Sequence, residues 1–204
     1  VALGLLECFS RAISGRALYQ QASFLINAIG NPVFPGHISI SEYPHAPGAM
    51  GSAPFDAEGV RTQTRQIVTD GVLKSYFLSS YTARKLGMAT TGNAGGPHNL
   101  TLTSSLTCSS DNLDAMLKKM DTGLLVTELI GQGINYVTGD YSRGVFGYWV
   151  KNGEIQHAVQ EVTVAGNLLN MFQQIIGIGN DVISRGNKTT GSVLIQEMAV
   201  AGSG

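Results

Sequence analysis

The chain has 204 residues, 26 of them glycine, with 13% charged and a net charge of −1. That length suits one sizeable domain with its own core, and the near-zero charge excludes an electrostatic nucleic-acid footprint, which needs clustered Lys and Arg to displace counterions. Charged residues make up about 25% of ordinary soluble domains, so this surface is short of charge and is expected to be covered in part by other chains or domains.

No apolar run approaches the roughly 18 residues of a membrane helix; the strongest, Val145 to Val150, is short and holds Gly147. The chain opens at Val1 with helix-like sequence and no basic leader, which reads as a fragment lacking an N-terminal region. Cys8 and Cys108 make only one pair, and no disulfide framework is expected.

In chain order, Leu3, Leu6, Phe9 and Ile13 repeat at the spacing of one helix face, and Gly15 stops that helix. Ile38 and Ile40 alternate with polar residues over 36–43 as in a strand, followed by a Pro-rich loop at 44–48. Asp70-Gly71 sits between β-rich arms, and Asn152-Gly153 repeats the arrangement; both dipeptides accept the two positive φ values of a type I′ hairpin turn. Asp111 is placed to cap a helix carrying Leu113, Met116, Leu117 and Met120. Asn167 is placed to cap another, with Leu168, Met171, Phe172 and Ile175. Phe146 and Tyr148 share one face of a strand and Trp149 takes the other, a pattern that predicts cover on both sides. Two hairpins favour antiparallel pairing over βαβ units. The expected fold is α+β: one large, twisted antiparallel sheet, or a barrel-like domain, with about three packed helices.

Several groups bear on chemistry. The loop Gly92-Asn93-Ala94-Gly95-Gly96-Pro97-His98-Asn99 has two readings. Its backbone N–H groups can cradle an anion, with His98 and Asn99 walling a peptide-binding cavity; or its glycines allow tight turns and His98 bonds within the fold. It is no P-loop, since the G-x-x-x-x-G-K-[ST] pattern is missing. Asp140-Tyr141-Ser142-Arg143-Gly144 misses the nucleophile elbow, because Asp140 stands two residues before Ser142. It reads as a turn, with Asp140 and Arg143 facing a partner subunit or anchoring a peptide terminus as the functional alternative. Glu7 precedes Arg11 by four residues, the favourable order for a helix-surface ion pair. His37, His45 and His157 lack the short spacing of a metal pair.

The segments 139–144, 149–155, 165–167 and 179–181, together with Phe55-Asp56-Ala57-Glu58-Gly59-Val60-Arg61-Thr62 and the 92–99 loop, stand in an order that resembles the C-terminal domain of the TldD/TldE family, on its TldE (PmbA) side. The resemblance covers nearly all of residues 1–204. In the TldD branch a His-Glu-x-x-x-His helix segment supplies two metal ligands and a catalytic glutamate. Aligned on Gly15, this chain keeps the glutamate as Glu7 but has Leu6 and Arg11 at the histidine positions, and Thr190 stands roughly where TldD has a cysteine ligand. Leucine has no lone pair and arginine stays protonated, so neither binds zinc.

The resemblance therefore implies a noncatalytic subunit of a cytosolic peptidase system, without metal or catalytic residues of its own. Zinc is expected in a TldD-like catalytic partner, peptides are the expected substrates, and self-association in the partner's absence remains open. No contact with nucleic acid or membrane is expected. A second reading is a hydrolase acting alone, through a relocated metal site or a Ser142/His98 pair. A third is a non-proteolytic module binding DNA gyrase or a toxin system.

Overall fold

The structure, a computed structural model, describes residues 1–202. Five helices, α1 (Ala2–Ala12), α2 (Gly15–Tyr19), α3 (Ser80–Leu86), α4 (Leu113–Met120) and α5 (Leu168–Gln173), are interspersed with β1 (Ile38–Tyr43), β2 (Arg65–Thr69), β3 (Val72–Leu73), β4 (Asn99–Ser104), β5 (Gly123–Ile130), β6 (Asp140–Lys151), β7 (Glu154–Asn167), β8 (Ile175–Ile178), β9 (Ile183–Arg185), β10 (Lys188–Thr190), β11 (Val193–Ile195) and β12 (Ala199–Ala201). The class is the expected mixture of antiparallel sheets and few helices. The strands form three sheets, however, and none closes into a barrel: six strands in the order β3-β2-β1-β4-β10-β9, four in the order β12-β7-β6-β5, and the pair β11-β8. One join, β10 to β4, is parallel.

Helix α1 buries Leu6 and Phe9, with Ile13 just past its end, as the spacing predicts, but Leu3 is only half-buried and the buried face is wider, taking in Leu5, Cys8 and Ala12. Phe9 meets Phe34 edge-on at 5.1 Å between ring centres and Phe172 of α5 at 6.0 Å, while Phe34 stacks on Phe172 at 4.9 Å. These rings join the first helix, a loop and the last helix in one core.

Both hairpin turns form as read: Asp70 and Gly71 have φ of 49° and 77°, Asn152 and Gly153 have 55° and 73°. Asn167 caps α5 through the Leu169 amide. The α4 cap differs from expectation. Asn112, not Asp111, accepts from the Ala115 amide, while Asp111 turns back to accept from the Cys108 amide and pairs with Lys119 at 2.7 Å. Two residues of different reach compete there, and the aspartate closes the preceding turn instead.

The expected burial of the β6 aromatics is also corrected. Phe146, Tyr148 and Trp149 are each more than a third exposed, at 39%, 39% and 37%. The β6–β7 arm carries register shifts at Val145/Gly147 and Trp149/Val150, and only its base packs into the core through Tyr141, Val145 and Val164. Strand β12 pairs only with residues 163–165 of β7, so among the described residues the outer edge of β7 before them has no partner strand.

Candidate functional site

Helix α1 carries three of the singled-out positions, and the structure sends each to a different neighbour. Leu6 is 2% exposed and lies with Leu5, Phe9, Phe34 and Phe172 around an apolar gap in the core. Glu7 is on the surface side, where its carboxylate pairs with Lys188 of β10 at 2.6 Å. The predicted Glu7–Arg11 pair does not form: the longer-range ammonium takes the carboxylate, and Arg11 instead lies over the Tyr136 ring, 4.5 Å from its centre. Lys188 also donates to Asn187 Oδ1 at 2.9 Å. Thr190, two residues on along β10, is buried, and its Oγ1 has no hydrogen-bond partner.

A metal ion does not fit these residues. Leu6 offers no donor and is sealed in the core; Arg11 is a cation engaged with a ring; Thr190 offers only a neutral hydroxyl. The one carboxylate, Glu7, already faces an ammonium that would repel a second cation. Among the described residues no group of three or more His, Cys, Asp or Glu side chains could hold a metal.

The other side of α1 faces an aromatic and cationic cluster. Burial pushes the Cys8 thiol above its ordinary value, with Tyr136 beside it and the charges of Arg143 and Arg11 pulling the other way. Tyr136 and Tyr141 are both pushed up to about 12, chiefly by burial and secondarily by Cys8. Arg143 donates from Nε to the Ile130 carbonyl at 3.1 Å. Asp140 accepts from Thr138 Oγ1 at 2.6 Å. Residues 132–135 and 140–142 line an open cleft of 380 Å3 next to this cluster.

His98 and Asn99 lie elsewhere, where β4 begins. The two ring nitrogens of His98 face the carbonyl oxygens of Gly51 at 3.1 Å and Gly92 at 3.2 Å, so a proton on either finds an acceptor. Asn99 accepts from the Gly51 amide and donates to the Tyr43 carbonyl and Ser52 Oγ, holding the 44–52 loop to the sheet. Among the described residues no hydrogen bond links His98 to Ser142. The glycine-rich loop turns a single amide, that of Ala94, to the Asp56 carboxylate, whose other two donors come from its own turn. Asp56 takes the amides of Ala94, Glu58 and Val60, each at 2.9 Å. Burial alone would raise the Asp56 carboxyl, but these bonds outweigh it and hold it below the ordinary 3.8.

Beneath the loop lies a polar cluster that the sequence analysis missed. Glu42 of β1, fully buried, pairs with Arg65 of β2 at 2.5 Å and accepts from Asn93 Nδ2 at 2.7 Å and the His98 amide at 2.8 Å. Arg65 also donates to Ser75 Oγ at 3.1 Å, leaving its buried Nε without a partner. No local spacing marks these residues, since Glu42 and Arg65 meet only across a strand pair. The Lys188 partner of Glu7 was equally illegible, because it comes from the far end of the chain.

No helix among the described residues is long and apolar enough to cross a membrane. Residues 1–202 match the family model described as the PmbA/TldA metallopeptidase C-terminal domain. A Metalloprotease PmbA homolog of Haemophilus influenzae is 49% identical over 203 residues, which is 100% of this chain and 44% of that protein. Metalloprotease PmbA of Escherichia coli O157:H7 is 48% identical over 99% of this chain and 44% of its own length. The chain thus spans under half the length of the curated relatives it matches. A solved structure from Thermotoga maritima, named as a modulator of a DNA gyrase, superposes with a TM-score of 0.87 at 37% identity, covering 98% of this chain and 47% of the other. TldE from Thermococcus kodakarensis shares the fold, with a TM-score of 0.80 at 21% identity over 95% of this chain and 46% of its own. On this match from end to end, the chain belongs to the PmbA/TldA metallopeptidase C-terminal domain family.

Proposed function

We propose that this chain is the C-terminal domain of a noncatalytic, TldE-like subunit that works with a zinc-bearing, TldD-like partner in processing or degrading small or unfolded peptides in the bacterial cytoplasm. The observation that carries the reading is the fate of Glu7. Its carboxylate is neutralised by Lys188, while the neighbouring Leu6 is locked in the apolar core. A general base needs an activated water or nucleophile to act on, and a carboxylate held by an ammonium beside no metal donor set has none. The exposed β6–β7 arm and the low charge content agree with a surface that another chain covers.

The test is elemental analysis together with peptide cleavage, on the protein purified alone and mixed with a TldD-like partner. The expected result is zinc and cleavage only in the mixture. Stoichiometric zinc with cleavage in the isolated protein overturns the reading.

A further inference from the structure

The cleft lined by residues 132–135 and 140–142 carries an acid that no cation of the fold neutralises. Its shape is set by backbone bonds between the loop after β5 and the start of β6. The Ser142 amide donates to the Gly133 carbonyl at 2.7 Å and the Asn135 amide to the Asp140 carbonyl at 2.8 Å, with an isolated bridge between Ile134 and Tyr141. A methyl group on Gly133 would strike the Ser142 carbonyl oxygen, so glycine is what lets the two segments close. Asp140 and Ser142 are two residues apart on β6, and strand alternation puts their side chains on one face, opposite to that of Arg143. Arg143 spends its Nε on the Ile130 carbonyl, and Arg11 lies on the ring of Tyr136. The ion pairs among the described residues are Arg65–Glu42, Lys119–Asp111 and Lys188–Glu7, none of which includes Asp140.

The polar atoms around this carboxylate are also underused. Thr138 Oγ1 donates to Asp140 Oδ2 at 2.6 Å, which leaves Oδ1 open. Among the described residues the Ser142 hydroxyl and the Gln132 carboxamide, both on the cleft wall, make no side-chain hydrogen bond. A primary ammonium carries three N–H donors and no acceptor; a carboxylate oxygen, a hydroxyl oxygen and a carboxamide oxygen answer all three. The Asn135 carboxamide has the opposite character. Its Oδ1 accepts from the Val137 amide at 2.9 Å, so it offers a guest N–H groups, which suit a carbonyl. The space, 380 Å3, falls within the roughly 300–1,000 Å3 of small-ligand sites.

We propose that this cleft binds the amino terminus of a peptide, with the α-ammonium held by Asp140, Ser142 and Gln132 and the first carbonyl by Asn135. An ammonium with a carbonyl on the adjoining carbon is what the amino end of a peptide presents. The choice of a peptide rests on the peptide-processing reading above; the preference for an ammonium rests on the unpaired Asp140 carboxylate and the free acceptors beside it. A stretch of chain interior brings an uncharged amide with one N–H, so the cleft selects for a chain end.

Titration calorimetry on this chain alone tests the site at about pH 6, below the roughly 7.7–8.0 at which an α-amino group titrates. The probes are alanyl-alanine amide, N-acetyl-alanyl-alanine amide, and N-acetyl-lysine amide, whose only ammonium is on the side chain. The free amine is expected to bind at least about tenfold more tightly than its acetylated form, the scale of a lost charge-assisted contact, and more tightly than the lysine derivative. Asp140→Asn should weaken it about tenfold and Ser142→Ala measurably less, with circular dichroism unchanged. No binding of the free amine, equal binding of the acetylated form, a lysine derivative bound as tightly, or unaltered affinity in either folded variant would each overturn the proposal. If a variant does not fold, the comparison of probes on the parent chain still decides. No partner or zinc enters this measurement, so its failure leaves the noncatalytic-subunit reading standing. A failure of that reading in turn leaves the ammonium preference to be read as it is.

Discussion

Glu42 and Arg65 form the most deeply buried of the ion pairs among the described residues. The side chain of Glu42 is 1% exposed and that of Arg65 is 16% exposed, so neither water nor salt replaces the pair. Removing one member of a buried pair leaves an uncompensated charge, which costs about 3–5 kcal/mol. Arg65→Ala should therefore lower the unfolding free energy in urea by about that amount, and a loss under about 1 kcal/mol would show that water reaches Glu42 after all. A second expectation concerns alkali. Tyr136 and Tyr141 are held up to about 12 against an ordinary 10.0, so the fold favours their protonated forms. The stabilisation is complete below pH 10 and is lost as pH rises from there towards 12. Tyrosinate absorbance should show these two lagging behind the exposed tyrosines, and urea midpoints should fall across that window; simultaneous titration of all seven tyrosines near 10 would refute it. The sequence displayed Glu7, Arg11 and Arg143 as residues but not their partners. Lys188, Tyr136 and Ile130 are brought to them by tertiary contact, which no local period records.

Among the elements, turns and caps were the most legible, because their causes are local. Asp70-Gly71, Asn152-Gly153 and Asn167 each act through one or two residues, and all three behave as read. Helix α3 escaped notice because its capping box closes with Thr82 rather than Glu or Gln. Strands β9 and β10 escaped because three residues are too few to show alternation. Glycine supplies a direct comparison of backbone strain with crowding. Gly48 and Gly71 have similar φ, 70° and 77°, but a methyl group on Gly48 would meet open space while one on Gly71 would run into the carbonyl oxygens of Phe34 and Pro35. Gly48→Ala should cost about 1–2 kcal/mol, the left-handed penalty alone. Gly71→Ala should cost clearly more, and equal losses in thermal unfolding would mean that the 34–35 loop yields without resistance.

At the scale of the whole molecule, the mixed class and antiparallel habit were visible in the sequence, but the division into three sheets was not. The extent of the largest sheet depends on β10 lying parallel to β4, a pairing between segments far apart in the chain. The β6–β7 arm was misjudged for a related reason. Alternation tells which side chains share a face, yet it does not tell whether anything covers that face. The sole tryptophan, Trp149, now reports on it. If a TldD-like partner covers this arm, Trp149 emission should shift to the blue on mixing; an unchanged spectrum alongside a stable complex would place the contact elsewhere on the surface.

The closure of α1 onto β10 also governs when this domain can come into being. Glu7 finds Lys188, and Phe9 finds Phe172, so helix α1 waits for α5, far along the chain, before its apolar face is covered. Pairing of such distant segments is slow, because the loop between them must close before the contacts repay it. Until then Leu5, Leu6 and Phe9 stay open to other nascent chains and to chaperones. A chain that ended before α5 would keep α1 and most of its strands but lack Phe172 over Phe9, and the cell would meet that product as a substrate for degradation.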